Sequence, residues 1–246
     1  FWPYDFRYIP VELISAIYDR FLADSEQRRD TGAYYTPRFL ADLTINQIWV
    51  ELPLEVRTMP DFNVLDPACG SAIFLVRIFQ RMVEDWRRQH PKKKPSWHTL
   101  LSFTLRLHGW DKQANAVRIG IFSLYIALLE EVEPSAIQAL FDKGKILPPL
   151  FGITMCDYDF FDENTPDKKF DLIIGNPPWV SRKKDNVASA INWCSLHGLH
   201  MPEKELAWAF VWKGLKHIET DGLIGFLLPA MGIFLNHKDK TVQARN

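Results

Sequence analysis

No apolar run in this 246-residue chain approaches the roughly 18–20 residues needed to cross a bilayer, although 47% of its residues are apolar. A helical membrane span is therefore not expected. The apolar content is enough to bury one substantial core, one domain with an appendage. An excess of charge of one sign is also lacking. Lys and Arg number 29 against 30 Asp and Glu, a net charge of -1. The chain is no bulk polycation, so any nucleic-acid contact must come from local basic clusters. Cysteine is sparse: Cys69, Cys156 and Cys194 stand far apart and form no CxxC pair. Neither a disulfide framework nor a structural zinc is expected, and a reducing compartment is. The 7 histidines show no metal-ligand spacing. Residues 1–246 show no charged-then-apolar pattern of a secretory leader, no internal repeat and no low-complexity tract. No methionine precedes Phe1, which reads as a fragment or processed form of a longer chain.

What is present alternates. Residues 10–23 carry apolar positions at helical spacing behind Pro10. Thr36 followed by Pro37 suits the cap and first position of a helix over 37–50. Asn63-Val64-Leu65 reads as a short buried strand, and the apolar residues from Ile73 to Phe79 as the helix after it. Strand 104–110, helix 113–131, strands 152–156 and 171–175, helix 203–219 and strand 222–228 follow. Strands alternating with helices predict an α/β fold with a mostly parallel sheet covered on both faces. Ligands of such sheets bind at the carboxyl ends of the strands, near the switch point.

Four strand ends carry residues that packing alone does not require. The first is Asp66-Pro67-Ala68-Cys69-Gly70-Ser71, with Phe74 in the following helix. Small residues let a ligand approach the backbone, and a carboxylate there suits a cationic or amine-bearing ligand. A dinucleotide site would want Gly-x-Gly-x-x-Gly, which is absent. A tight strand-to-helix turn accounts for the same residues. The second is Asp111-Lys112, where an acidic residue suits a ribose diol or, equally, a helix start. The third is Asp157-Tyr158-Asp159. Asp157, nearer the strand end, is the preferred acceptor for an adenine amino group, with Tyr158 or Phe160 against the ring. An ordinary polar loop is the other reading.

The fourth is Asn176-Pro177-Pro178-Trp179. Two prolines make a stiff, extended backbone without donors. The Asn176 side-chain oxygen and the Pro177 carbonyl suit the two N–H groups of an amine attached to a π-system. Such an amine is a poor nucleophile because its lone pair is delocalised. Two acceptors would pull the nitrogen toward tetrahedral geometry and aim the lone pair at an electrophile. Trp179 would stack on the ring.

In this order, Thr31-Gly-Ala-Tyr-Tyr-Thr-Pro37, Asp66 to Ser71 and Asn176 to Trp179 resemble the gamma-class N6-adenine DNA methyltransferases of restriction-modification and phage-defence systems. The resemblance covers about residues 30–230. It implies a class I, Rossmann-like methyltransferase fold, S-adenosyl-L-methionine as cofactor, double-stranded DNA as substrate with the adenine flipped out, and the cytoplasm of a bacterium or archaeon. Tyr34, Tyr35 and Thr36 would lie near the methionine end of the cofactor. Asp66, Pro67, Ala68, Cys69, Gly70, Ser71 and Phe74 would form its main loop. Asp111, with Lys112 beside it, would hold the ribose, and Asp157 and Tyr158 the adenine. Asn176, Pro177, Pro178 and Trp179 would perform the transfer. Two positions depart from the family pattern. Ala72 stands where glycine is commoner, which would narrow the loop, and Trp179 replaces the usual tyrosine.

The expected division is an N-terminal helical segment, 1–50, and a catalytic domain, 51–246. The family sheet has two further strands and usually a target-recognition region. Neither fits after Leu228, so a missing C-terminal part or a partner subunit is expected. Arg182, Lys183 and Lys184 are candidates for phosphate contacts, with a solvated loop as the competing reading; the cluster Arg87 to Lys94 reads as a solvated loop. Cytosine-C5 methylation is excluded because no Pro-Cys dipeptide is present. Methylation of RNA adenine, N5-methylation of a protein glutamine, and a degenerate DNA- or partner-binding subunit are the other classes left open.

Overall fold

The computed structural model describes residues 36–133, 136–137, 147–179, 184–233, 235 and 242–243. The expected helix over 10–23, the motif residues Thr31 to Tyr35, and Arg182 and Lys183 lie outside that set. Five strands form one parallel sheet: β1 (Val64–Asp66), β2 (Leu107–Trp110), β3 (Met155–Cys156), β4 (Phe170–Gly175) and β5 (Ile218–Phe226). Their order is β3-β2-β1-β4-β5. The chain steps outward from β1 to β3, then returns past β1 to build β4 and β5. The switch point therefore lies between β1 and β4, which pair in register Val64 to Leu172 and Leu65 to Ile173.

Alternation along the strands divides the core into two halves. Val64, Leu107, Leu172 and Ile174 join one cluster with side chains of α1 (Arg38–Glu51), α2 (Ile73–Gln89), α3 (Trp97–Thr104) and α4 (Ala114–Glu130). Leu65, Trp110 and Ile173 join the other, with side chains of α5 (Lys184–Leu196) and α6 (Leu206–His217), and Phe170 joins it because the register of β4 shifts between Phe170 and Leu172. Successive side chains of a strand point to opposite faces, so a sheet buried on both sides reads as a continuous apolar run.

Several boundaries differ from expectation. Residues 97–104 form a helix capped by Ser96, whose Oγ accepts from the Thr99 amide at 3.1 Å, and β2 starts only at Leu107. The expected strand 152–156 shrinks to two residues because 152–154 form a turn in which Gly152 has φ 75°. Helix 203–219 becomes α6 preceded by a 3-10 turn at Pro202–Lys204, and the last strand begins at Ile218 rather than 222. Helix α5 was not anticipated. At the start of α1, Pro37 holds the cap position and no side chain caps the helix. Thr36 is thus not a cap, and its hydroxyl is engaged elsewhere.

Candidate active site at the switch point

Asp66 ends β1 with a side chain only 1% exposed. Its Oδ1 accepts from the Ala68 amide at 3.1 Å. A Cβ added to Gly175, the last residue of β4, would lie 2.5 Å from the same oxygen. The carboxyl is therefore pressed against the bare backbone of β4, one residue before Asn176. Asp111, at the end of β2, completes the group: its Oδ2 accepts from Gly70 at 3.0 Å and its Oδ1 from Gln113 at 2.9 Å. It fixes the turn that leads into α4 and ties down the loop after β1. Burial pushes the Asp66 carboxyl up to about 8, and the nearby Asp111 carboxylate adds to the effect against the Ala68 hydrogen bond. Burial raises Asp111 as well.

The loop itself has an open and a closed side. A Cβ on Gly70 (φ 50°) would meet nothing within 4 Å. Ala72 has φ 65° and ψ 32°, the left-handed region that glycine tolerates best. Its methyl is 0% exposed and faces α4, where a Cβ on Gly120 would come within 3.0 Å of it. The alanine therefore fills the underside of the loop rather than its open side. Pro67 and Ser71 are buried and Ala68 is half-buried. Phe74 is 2% exposed within the core cluster. Cys69 donates its amide to Trp110 at 2.9 Å. Burial and the two carboxylates push its thiol well up, so it is no nucleophile.

At the third strand end, Asp157 is exposed and Tyr158 half-buried, with its ring edge-on to Trp110. Phe160 is not available to a ligand ring. It is 1% exposed and packed among Trp110, Phe161 and Phe210. An aromatic residue next to a polar loop gives no sign in sequence of which way it turns, and here the core claims it. Asp159 is committed to Lys112 at 2.9 Å and to the Phe161 amide at 3.0 Å. Lys112 is thereby anchored at this strand end rather than at the loop after β1.

Asn176 follows β4. Its Nδ2 donates to Thr36 Oγ1 at 3.1 Å, across 140 residues of sequence. Its Oδ1 is buried and has no hydrogen-bond partner among the described residues. Buried acceptors without partners are rare because each forgoes its hydration. This one lies beside the Asp66 loop, and a donor from a ligand would satisfy it. Trp179 is 43% exposed, and its Nε1 donates to the Leu227 carbonyl at 3.2 Å. Leu227 in turn donates its amide to the Gly175 carbonyl at 3.0 Å. The indole is thus held at its N–H edge on an exposed residue. Lys184 is the first residue of α5.

Among the described residues no cluster of His, Cys, Asp and Glu is placed to hold a metal ion, and no helix is long and apolar enough to cross a membrane. Two buried carboxyls around an open glycine loop, with an unpartnered amide oxygen beside them, fit a ligand that brings a cation, hydroxyls and an amine.

The parallel sheet, its strand order and the loop at the switch point are those of the Rossmann-like methyltransferase class. The chain belongs to the N-6 DNA methylase family, whose model matches residues 11–245. No curated protein matches it. Among solved structures it is similar to the methyltransferase subunit of the type I restriction-modification system of Streptococcus thermophilus. The two are 15% identical with a TM-score of 0.50, and the match covers 98% of this chain and 44% of that one. The chain thus spans less than half the length of that subunit.

The raised Asp66 pKa has a stability consequence. The folded state holds this proton more tightly than the unfolded chain does. The associated stability is therefore complete below about pH 4 and lost as pH rises toward about 8. Asp66→Asn keeps an acceptor for the Ala68 amide and removes the titration. In the ligand-free protein the melting temperature of Asp66→Asn relative to wild type should rise between pH 5 and pH 9. The expected gain is at least about 2 °C, the shift that roughly 1 kcal/mol produces in a chain of this size. An equal difference at both pH values would show that Asp66 is ionised throughout.

Proposed function

We propose that this chain is the catalytic portion of an enzyme that transfers a methyl group from S-adenosyl-L-methionine to the exocyclic N6 amine of adenine in DNA. The observation that carries the reading is the buried, unpartnered Oδ1 of Asn176, held beside the Asp66 loop. When bound, the cofactor supplies an electrophilic methyl group on a sulfonium. Asp66, Asp111 and the loop from Pro67 to Ser71 would hold it, with Asp157 and Tyr158 at its base, and Tyr34, Tyr35 and Thr36 near its methionine end. A cationic ligand favours the ionised form of Asp66, so its affinity should rise with pH up to about 8.

Asn176 Oδ1 accepts one N–H of the substrate amine and the Pro177 carbonyl the other. Pro178 keeps the backbone extended. The nitrogen lone pair is thereby freed from the ring and directed at the methyl group. A base within a duplex does not reach this loop, so the nucleotide is flipped out and stacks on Trp179. Arg182, Lys183 and Lys184 meet the flanking phosphates. Choice of DNA sequence falls to the rest of the protein or to a partner subunit, because base edges and not phosphates carry sequence. Membership of the family supports a restriction-modification or phage-defence role, which we place in a bacterial or archaeal cytoplasm.

The test is the full-length protein with methyl-labelled cofactor and DNA, RNA or protein in separate arms. Label recovered as N6-methyladenine from DNA supports the reading. Label confined to RNA or to a glutamine side chain overturns the substrate, and cofactor binding without transfer to any arm points to a non-catalytic subunit. On the DNA arm, Trp179→Ala should lose about 1–3 kcal/mol of binding to DNA with an unpaired target base, the worth of one stacked base. Trp179→Phe keeps the flat ring and loses the bond to Leu227, about 1 kcal/mol, so it should fall between Ala and wild type. If Phe proves as damaging as Ala, anchoring at Leu227 and not stacking is what the indole contributes.

A further inference from the structure

We infer that Thr36 is a positioning residue for Asn176: its hydroxyl bonds the inner end of the amide, at Nδ2, and so holds the outer end, Oδ1, in place for the substrate amine. The inference rests on the reading of Asn176 given above and assigns Thr36 a task separate from contact with the cofactor. Three observations carry it. Thr36 is 7% exposed, immediately before α1, yet it does not cap that helix. Its Oγ1 lies 3.1 Å from Asn176 Nδ2. The other end of the same amide, Oδ1, is buried with no partner among the described residues.

An amide has two distinct ends, a donor and an acceptor. Only the acceptor end can draw on an N–H of the substrate. Rotating the Asn176 amide by half a turn would present NH₂ to the amine, donor against donor, and the loop would repel what it is built to hold. Asp66 and Gly175 crowd the position before Asn176 but contribute no bond to its side chain. Thr36 is the one hydrogen-bond partner of that side chain among the described residues. Pro37 supports this placement. It fixes the backbone at φ -55° as it enters α1, and α1 is packed on the sheet through Ala41, Ile45 and Ile48. The hydroxyl is thus carried on a rigid element, as a positioning contact requires.

The experiment uses the full-length protein and two replacements. Thr36→Val keeps the shape and loses the hydroxyl; Thr36→Ser keeps the hydroxyl. Wild type is assayed first: if it transfers no methyl group to DNA adenine, the catalytic reading fails before any variant is compared. Given an active wild type, Thr36→Val should lower kcat by about tenfold to a hundredfold, the range that misplacing one catalytic group by an ångström produces. The loss of kcat should persist at saturating cofactor, whatever the change in cofactor affinity, and the melting temperature should stay within about 2 °C of wild type. Thr36→Ser should recover most of kcat. The side-chain amide resonance of Asn176 should shift in Thr36→Val and not in Thr36→Ser, a readout independent of turnover. Unchanged kcat in Thr36→Val, a loss confined to cofactor affinity, or an Asn176 resonance indifferent to the hydroxyl would each overturn the inference.

Discussion

Asn176→Ala is expected to abolish methyl transfer while leaving cofactor affinity within a few-fold of wild type. In the proposed reaction the side chain faces the substrate amine, which would satisfy an oxygen that has no partner among the described residues. Interactions made chiefly in the transition state appear in kcat and not in ground-state binding. Removing one preorganised hydrogen-bonding group of this kind costs about 10²–10³ in kcat. With the Pro177 carbonyl as sole acceptor the amine stays more conjugated with its ring, so the loss should lie at the upper end of that range or beyond. Single-turnover transfer of labelled methyl, with calorimetry for the cofactor, separates the two quantities. Turnover within tenfold of wild type would show that another group accepts the amine N–H.

Gly175→Ala should be nearly as damaging, and for a different reason. The added methyl would stand 2.5 Å from Asp66 Oδ1 and 3.1 Å from its Cγ. Neither neighbour can yield easily. Asp66 is held by the Ala68 amide, and Gly175 is paired with Phe226 of β5. Overpacking of this kind costs about 1–3 kcal/mol of stability. The displaced carboxyl should also lower cofactor affinity by at least about tenfold, since a charge-assisted hydrogen bond contributes roughly 1.5–3 kcal/mol. Gly225→Ala, one position from the end of β5, is the matched control. Its methyl would meet the tip of Ile48 at 2.7 Å, a side-chain end that can shift. Cofactor titrations on both variants should find affinity lost in the first and kept in the second. Equal affinity in both would mean that Asp66 does not carry the cofactor.

The strand ends were legible because each lies where a continuous apolar run stops abruptly at polar or small residues. Asp66, Asp111 and Asn176 could be placed from that pattern alone. What escaped notice had weaker or non-local signals. Helix α5 is made of residues with modest helix propensity, Asn, Ser and Val among them, and follows two prolines. Its buried side chains, Val187, Ala190 and Cys194, do recur at helical spacing. Phe160 sits beside loop residues, and only the tertiary fold turns it into the core. Thr36 read as a cap from its local sequence, because Thr before Pro commonly is one. Its actual partner lies 140 residues away, and no local rule reports that. Ala72 was visible as a departure from glycine, whereas the space that admits its methyl is supplied by Gly120 on another element.

Leu227 holds both flanks of the Asn-Pro-Pro-Trp segment with its own two backbone groups. Its amide reaches the Gly175 carbonyl and its carbonyl receives the Trp179 indole. A peptide unit is rigid, and consecutive units share one Cα. The two units are hinged at the Leu227 Cα, so a turn about ψ there swings the carbonyl, and with it the Trp179 indole, while the amide stays on Gly175. Whatever grips the residues beyond Leu227 holds a lever on the amine site. It can set the tilt of the stacking ring relative to Asn176 without touching the base.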